Sequence, residues 1–255
     1  MDVQRLIDVN TSVVASSLAV WRGTAAFAPA RRQPEQALVL YDFEACPFCR
    51  LVREALTEMD LDAEIRPCPR GGARFRPEAE TLGGRRQFPL LVDPNGPAVL
   101  YESAEIIAYL ARTYDAAAHG TRGLWRGVRV AQSQLASAAR LLRGMRVRPS
   151  RAPAAPLELY SFESSPFSRL VREVLCELEL PYLLRNTGKA VWPDMGPPWV
   201  RRRFFPDTPI TGRNRARLFA RTGRVQVPYL VDPNTGEEMF ESARIVGYLE
   251  RTYAP

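Results

Sequence analysis

One lysine, one histidine and four cysteines are all that 255 residues contain of those three types. The histidine, His119, sits in an Ala/Gly-rich stretch, which leaves a Cys–His hydrolase without a convincing base. The cysteines are Cys46, Cys49, Cys68 and Cys176, too few and too unevenly placed for the disulfide scaffold of a small secreted domain. There is one Cys-x-x-Cys pair and no second, so zinc lacks its four ligands and no metal is expected. No run approaches the ~18 apolar residues of a membrane span. Asp2, Asp8 and the absence of a basic stretch ahead of the apolar part of the N-terminus argue against a secretory leader. The expected location is cytoplasmic, with no membrane partner.

The scarcity of lysine makes the net charge of +7 almost wholly an arginine charge, Lys189 being the exception. A basic balance can mark a nucleic-acid partner. No nucleic-acid-binding motif accompanies it, and the charges read as solvated faces of a chain rich in Arg, Ala and Pro. Hydrophobic content of 46% and charged content of 25% belong to a globular protein, and the length accommodates two domains.

What the chain does contain is itself, twice. EACPFCRLVRE at 44–54 returns as ESSPFSRLVRE at 163–173, with eight of eleven positions identical and both cysteines replaced by serine. The match extends without a gap from 38–66 to 157–185, an offset of 119. QFPLLVDPNGPAVLYESAEIIAYLARTY (87–114) then matches 226–253 at an offset of 139. The second copy therefore carries about twenty extra residues, a loop insertion. The lead-ins SSLAVWRG (16–23) and SAARLLRG (137–144) also correspond, each a short helix ending in Arg-Gly.

Within a copy, LVLYDF reads as a buried strand. Phe48, Leu51, Val52, Ala55, Leu56 and Met59 fall at helical spacing, with Pro47 in the first turn. A strand at 62–67, a Pro/Arg/Gly loop and strand PLLVD follow. A turn at Asp93-Pro94-Asn95-Gly96, strand AVLYE and a helix from Ser103 to about Tyr114 complete the unit. The order is β-α-β, then β-β-α: a parallel pair with a right-handed crossover, then an antiparallel hairpin under a helix.

A strand, CPFC, a helix and a β-β-α half opened by x-Pro resemble the thioredoxin fold, in particular glutaredoxins and the N-terminal domain of glutathione transferases. QFPLLVDPNG...LYESAEIIAYL and QVPYLVDPNTG...FESARIVGYL carry the resemblance. Over the whole chain it resembles a family with two such domains in tandem. It implies an α/β fold of two tandem thioredoxin-like domains, each a mixed four-stranded sheet flanked by helices. The expected division is a helical lead-in over 1–36, the CPFC domain over 37–115, a helical linker over 116–155 and the SPFS domain over 156–255. The basic insertion falls at about 190–222. The all-helical C-terminal domain of transferases is missing.

Cys46 is expected at the helix N-terminus, where unpaired amides and the helix dipole favour an anion and lower a thiol pKa from about 8.5 into the range of roughly 3.5–7.5. Arg50 and Arg53 are expected to add positive charge. Cys46 is then a nucleophile toward disulfides, and Cys49, one turn on, can attack the mixed disulfide. The resemblance implies a cis Phe88-Pro89 peptide facing this loop. It also implies that Glu102 takes the ammonium of glutathione and that Ser103 with the helix amides takes its carboxylate, Gln87 being a weaker candidate for the glycyl end. Glu-Ser at a helix start, taken alone, reads better as a capping arrangement; joined to x-Pro and CPFC, the binding reading is the better one.

Cys68 reads as a packed strand-end thiol or a further redox partner, Cys176 as core. In the second copy Ser165 and Ser168 cannot form a disulfide, while Gln226, Val227, Pro228, Glu241 and Ser242 keep the glutathione-site pattern. Either Ser165 donates to a glutathione thiolate or the copy is a scaffold. The insertion is a lid, a surface for an anionic partner or a basic loop. The leading expectation is a glutathione-linked thiol–disulfide oxidoreductase acting on disulfide or glutathionylated substrates. The alternatives are a glutathione transferase-like conjugating enzyme and a non-catalytic binding protein. The oligomeric state is left open.

Overall fold

The computed structural model describes residues 3–117, 123–196 and 198–255; His119 lies outside them. The lead-in is helix α1 (Val3–Leu18), and the first repeat runs β1 (Leu38–Asp42), α2 (Pro47–Glu58), β2 (Ala63–Pro67), α3 (Arg76–Gly83), β3 (Leu90–Asp93), β4 (Ala98–Tyr101), α4 (Ser103–Thr113). After α5 (Gly123–Ala138) the second repeat runs β5 (Leu157–Ser161), α6 (Pro166–Glu177), β6 (Tyr182–Asn186), α7 (Pro198–Phe204), α8 (Arg213–Thr222), β7 (Tyr229–Asp232), β8 (Glu237–Phe240), α9 (Ser242–Tyr253). The stretch read as a Pro/Arg/Gly loop holds α3, with Pro77 in its first turn and Gly84 closing it in the left-handed conformation. The insertion adds a turn of 3₁₀ helix at Trp192–Asp194 and α7 ahead of α8, which stands where α3 stands in the first repeat.

Each repeat is the expected mixed four-stranded sheet. β1 pairs in parallel with β2 and antiparallel with β3, which pairs with β4; β5 to β8 do the same. The two sheets are not separate. β2 pairs antiparallel with β6, giving one eight-stranded sheet in the order β4-β3-β1-β2-β6-β5-β7-β8. Its register, Ala63 with Leu184, Glu64 with Leu183 and Ile65 with Tyr182, is symmetric under the repeat offset, so an approximate twofold axis passes through the Glu64–Leu183 pair. A single apolar core on one face runs from Leu38 and Leu56 through Ile65 and Leu184 to Leu249. Smaller clusters place α3 and α8 on the other face. Two edge strands that would each offer unpaired backbone groups satisfy one another instead.

Beside the axis the halves exchange charge. Arg53 on α2 reaches Glu163 of the other repeat at 3.0 Å and Glu44 of its own at 3.2 Å, and also donates to Asp42. Its counterpart Arg172 on α6 reaches Glu44 at 3.0 Å, Glu163 at 3.1 Å and the Ser161 hydroxyl at 3.0 Å. All of these groups are buried. Gly23 and Gly144, the ends of the two lead-ins, lie at positive φ against this network. A Cβ on them would stand 2.8 Å from Glu163 Cβ and 2.7 Å from Glu44 Cβ, so a side chain is excluded twice over.

Burial works to raise the Glu163 pKa, but the charges of Arg172, Arg53, Arg50 and Arg169 outweigh it and hold the carboxyl at about 2. A depressed folded-state pKa means this stability is fully present above the ordinary value of 4.5 and lost as pH falls from there toward 2. Glu163→Gln takes one carboxylate from Arg53, which keeps Asp42 and Glu44, and one from Arg172, which keeps Glu44, and is expected to lower unfolding stability by about 3 kcal/mol. Denaturant titration measures it, and the acid loss between pH 4.5 and 2 is expected to be shallower in the variant. The exposed Arg86–Glu80 pair is the control, and Glu80→Gln is expected to change nothing measurable.

Candidate functional site

The end of β1 delivers Cys46 to the N-cap of α2 with extended backbone, followed by Pro47 at the first helical position. The Cys49 N–H donates to Cys46 Sγ at 3.3 Å. A hydrogen bond from the Cys49 side chain is the largest influence on the Cys46 thiol and lowers its pKa. Burial opposes, the Cys49 and Phe48 amides lower it further, and Arg53 contributes least; the net direction is down. Cys49 moves the other way, pushed well above the ordinary value by burial, by its donation to Cys46, and by the charges of Cys46 and Asp42. Both thiols are free. One thiol is made acidic and its neighbour is held as a proton donor.

The arginines enter differently from the expectation. Arg50 and Arg53 are buried among carboxylates of both repeats, and Arg53 lowers the Cys46 pKa less than the neighbouring hydrogen bonds do. Cys46 itself is 5% exposed, while Phe48 beside it is 40% exposed. Helix α5 covers the loop, its Ser133 hydroxyl donating to Pro47 O at 2.7 Å. Helix α1 does the same for the second repeat, Ser12 donating to Pro166 O at 2.8 Å. Each lead-in thus packs on the first turn of the other repeat's helix.

Phe88-Pro89 is cis, and so is Val227-Pro228. Phe43, at the end of β1, meets Phe88 edge-on at 6.2 Å, which brings the cis-proline loop against the Cys46 loop. Glu102 and Glu241 stand at the N-caps of α4 and α9 with φ of 64° and 73°, a region that non-glycine residues enter at a cost of about 1–3 kcal/mol. Neither side chain makes a capping hydrogen bond, so capping does not account for them. Both carboxylates are exposed and receive a hydrogen bond from Gln87 and Gln226 respectively. Gln87 is therefore engaged with Glu102. Ser103 and Ser242 are buried in the first turns behind them.

In the second repeat Ser165 repeats the N-cap, accepting from Ser168 N at 3.3 Å and from the Ser168 hydroxyl at 2.8 Å. Cys68 is fully buried and burial pushes its pKa up, as for a packed thiol. Cys176 lies in the seam, accepting from Glu44 N at 3.4 Å and donating to Gly144 O at 3.2 Å. Thr57 occupies the equivalent place, accepting from Glu163 N at 3.3 Å. Sequence reasoning missed Glu44 and Glu163; the signal was their survival, with Arg53 and Arg172, in the eleven-residue match. Among the described residues no group of three His, Cys, Asp or Glu is placed to hold a metal, and no helix is long and apolar enough to cross a membrane.

The family model for the glutathione S-transferase N-terminal domain matches residues 40–118 and 159–255, one segment in each repeat. The chain belongs to that family. No match is found among curated proteins. Among solved structures, a trimeric glutathione transferase of Leishmania, TDR1, is similar at 16% identity over 84% of this chain and 68% of that one. Its TM-score is 0.26, and at that score the likeness says nothing about fold or assembly.

The Cys49 thiol is expected to set the reactivity of Cys46. In Cys49→Ala the pKa of Cys46 rises toward that of an ordinary thiol and its alkylation by iodoacetamide at pH 7 slows about tenfold. Cys49→Ser, which keeps a donor, stays near the wild type. Equal rates in the alanine variant and the wild type overturn the assignment.

Proposed function

We propose that the protein is a glutathione-linked thiol–disulfide oxidoreductase in which Cys46 is the nucleophile. The observation that carries this reading is a thiol with a lowered pKa at a helix N-cap, beside a cis-proline loop. Glu102 takes the ammonium of glutathione, oriented by Gln87. Ser103 and the first amides of α4 take the α-carboxylate. The backbone ahead of Pro89, at Phe88, pairs with the extended tripeptide.

The Cys46 thiolate attacks the glutathione sulfur of a glutathionylated substrate. An S–S bond forms to Cys46, the substrate sulfur leaves with its electron pair and takes a proton. A second glutathione thiolate attacks the mixed disulfide, releasing oxidised glutathione and restoring the Cys46 thiolate. One free glutathione is consumed per turn: its sulfur joins the glutathionyl sulfur taken from the substrate, and the substrate sulfur is released as a thiol. Cys49 offers an internal route. Once Cys46 is tied up in a disulfide its charge is gone and it no longer accepts from Cys49, so two influences that hold the Cys49 pKa up disappear. The resulting Cys46–Cys49 disulfide is then reduced by glutathione.

A conjugating activity is the second reading, and Ser165 favours it. Because the Ser168 hydroxyl donates to Ser165, the Ser165 proton is left to donate to a glutathione thiolate. Gln226, the cis bond after Val227, Pro228, Glu241 and Ser242 supply the same pattern there as in the first repeat.

Wild type is expected to reduce a glutathionylated peptide with glutathione as reductant. Cys46→Ser loses roughly a thousandfold or more of that rate. Because the thiolate is the reacting form, alkylation of Cys46 is expected to fall off at lower pH than that of an ordinary thiol. Equal turnover in wild type and Cys46→Ser ends the proposal. Glutathione consumption with chlorodinitrobenzene but none with the disulfide places the chain with the conjugating enzymes.

A further inference from the structure

Tyr160 and Arg185 stand opposite each other on β5 and β6, as Tyr41 and Arg66 do on β1 and β2. In the first repeat a carboxylate completes the pair. Arg66 donates to the Tyr41 hydroxyl at 2.9 Å and to Glu78 of α3, and Glu78 acts on the Tyr41 hydroxyl as well. Counted back from Gly84 and Gly223, the left-handed glycines that close α3 and α8, the place of Glu78 belongs in the second repeat to Arg217. The next residues agree, since Ala79 clusters with Tyr41 and Leu218 with Tyr160.

The carboxylate has been exchanged for a cation, and the groups it would serve are left over. Tyr160 is fully buried, and its hydroxyl has no hydrogen-bond partner. Arg185 sends its terminal nitrogens to Asp62 at 3.1 Å and Glu158 at 2.7 Å, and its buried Nε is unpartnered. Arg221 is taken by Glu238, while Arg217 has no ion pair among the described residues. Buried polar groups without partners are rare in folded proteins, because each forfeits its hydration. Burial pushes the Tyr160 pKa up, Glu158 adds to it, and the charges of Arg217, Arg185 and Arg221 oppose. The phenol keeps its proton and stands as a donor among cations.

A cavity of about 340 Å³ opens on this face of the sheet. Leu183, Val231, Pro156 and Pro233 form apolar walls, and Arg217 stands on the α8 side. Glu158 and Glu64 line it too, already paired at 2.7 Å with Arg185 and Arg66 respectively. Glu158 lies two residues before Tyr160, hence on the same face of β5. Pro156 precedes β5 and Ser165 follows it, so the cavity lies at the other end of the strand from the N-cap serine.

We propose that this cavity binds a small monocarboxylate with an apolar body, its carboxylate taking the place that Glu78 holds in the first repeat. Arg217 supplies the charge, the Tyr160 hydroxyl and Arg185 Nε donate to the oxygens, and the apolar walls take the hydrocarbon. The first repeat has no such site, because Glu78 fills the place from within. Neither Cys46 nor glutathione takes part.

The test is isothermal titration calorimetry of the full chain with benzoate. One benzoate is expected to bind with a dissociation constant of about 1 mM or below. Arg217→Glu restores the carboxylate from within, and is expected to abolish binding up to about 20 mM benzoate while holding or raising the melting temperature. Tyr160→Phe, which keeps the ring, is expected to weaken binding about tenfold. Benzyl alcohol, with the ring and without the charge, is expected not to bind, and saturating glutathione not to displace benzoate. A wild type that binds no benzoate, or an Arg217→Glu variant that binds it as before, overturns the proposal. So does equal binding of benzyl alcohol, or displacement by glutathione.

Discussion

Two glutamates reach across the molecule, Glu44 to Arg172 and Glu163 to Arg53, and the rest of the architecture is arranged around that exchange. Each glutamate stands two residues ahead of an N-cap, Cys46 in one repeat and Ser165 in the other. Each arginine lies two turns into the helix that the N-cap opens. Taking such groups from water costs several kcal/mol apiece, and only close, multiple pairing offsets it. The strand pair β2–β6 and the exchanged lead-ins bring the partners close enough. The geometry of the reactive loop is thereby fixed from the opposite repeat.

That arrangement explains a second copy that has kept its surroundings and lost its sulfur. In ESSPFSRLVRE the glutamate, the proline and both arginines serve the seam or the start of the helix. At the two cysteine positions the fold asks only for a side chain that can cap the helix or donate to the cap. Ser165 reproduces the N-cap role of Cys46, down to the 3.3 Å bond from the amide three residues on. Hydroxyl and thiol are interchangeable for capping, and only the thiol can exchange electrons. The repeat therefore divides its residues into those that hold two halves together and those whose sulfur the fold does not need.

Much of this was legible in the residues. The duplicated blocks marked the strands and helices of each repeat, and Pro47 after Cys46 marked the N-cap. The cis bonds at Pro89 and Pro228 followed from the resemblance. The α3 segment was not legible, because RPEAETLG is a short helix between glycines and its closing signal at Gly84 was read as loop. The join between β2 and β6 was hidden for a different reason. A strand's side chains alternate between faces and say nothing of what lies along its edge. Nor could the charge exchange be read. In the sequence Arg53 reads as a positive charge for Cys46, whereas its partners are carboxylates of both repeats, and the depressed Cys46 pKa owes more to Cys49 than to any arginine.

The crossing of the lead-ins has a consequence for how the chain is made. Ser133, which covers the Cys46 loop, and Glu163, which grips Arg53, are encoded about ninety and about one hundred and ten residues downstream of their targets. A nascent chain that has released its first sixty residues owns the strand, the helix and both sulfurs, but not the clamp around them. At ribosomal speeds of about 5–20 residues per second, several seconds pass before α6 emerges. The Cys46 sulfur is born unguarded, and its shelter arrives only with the second repeat.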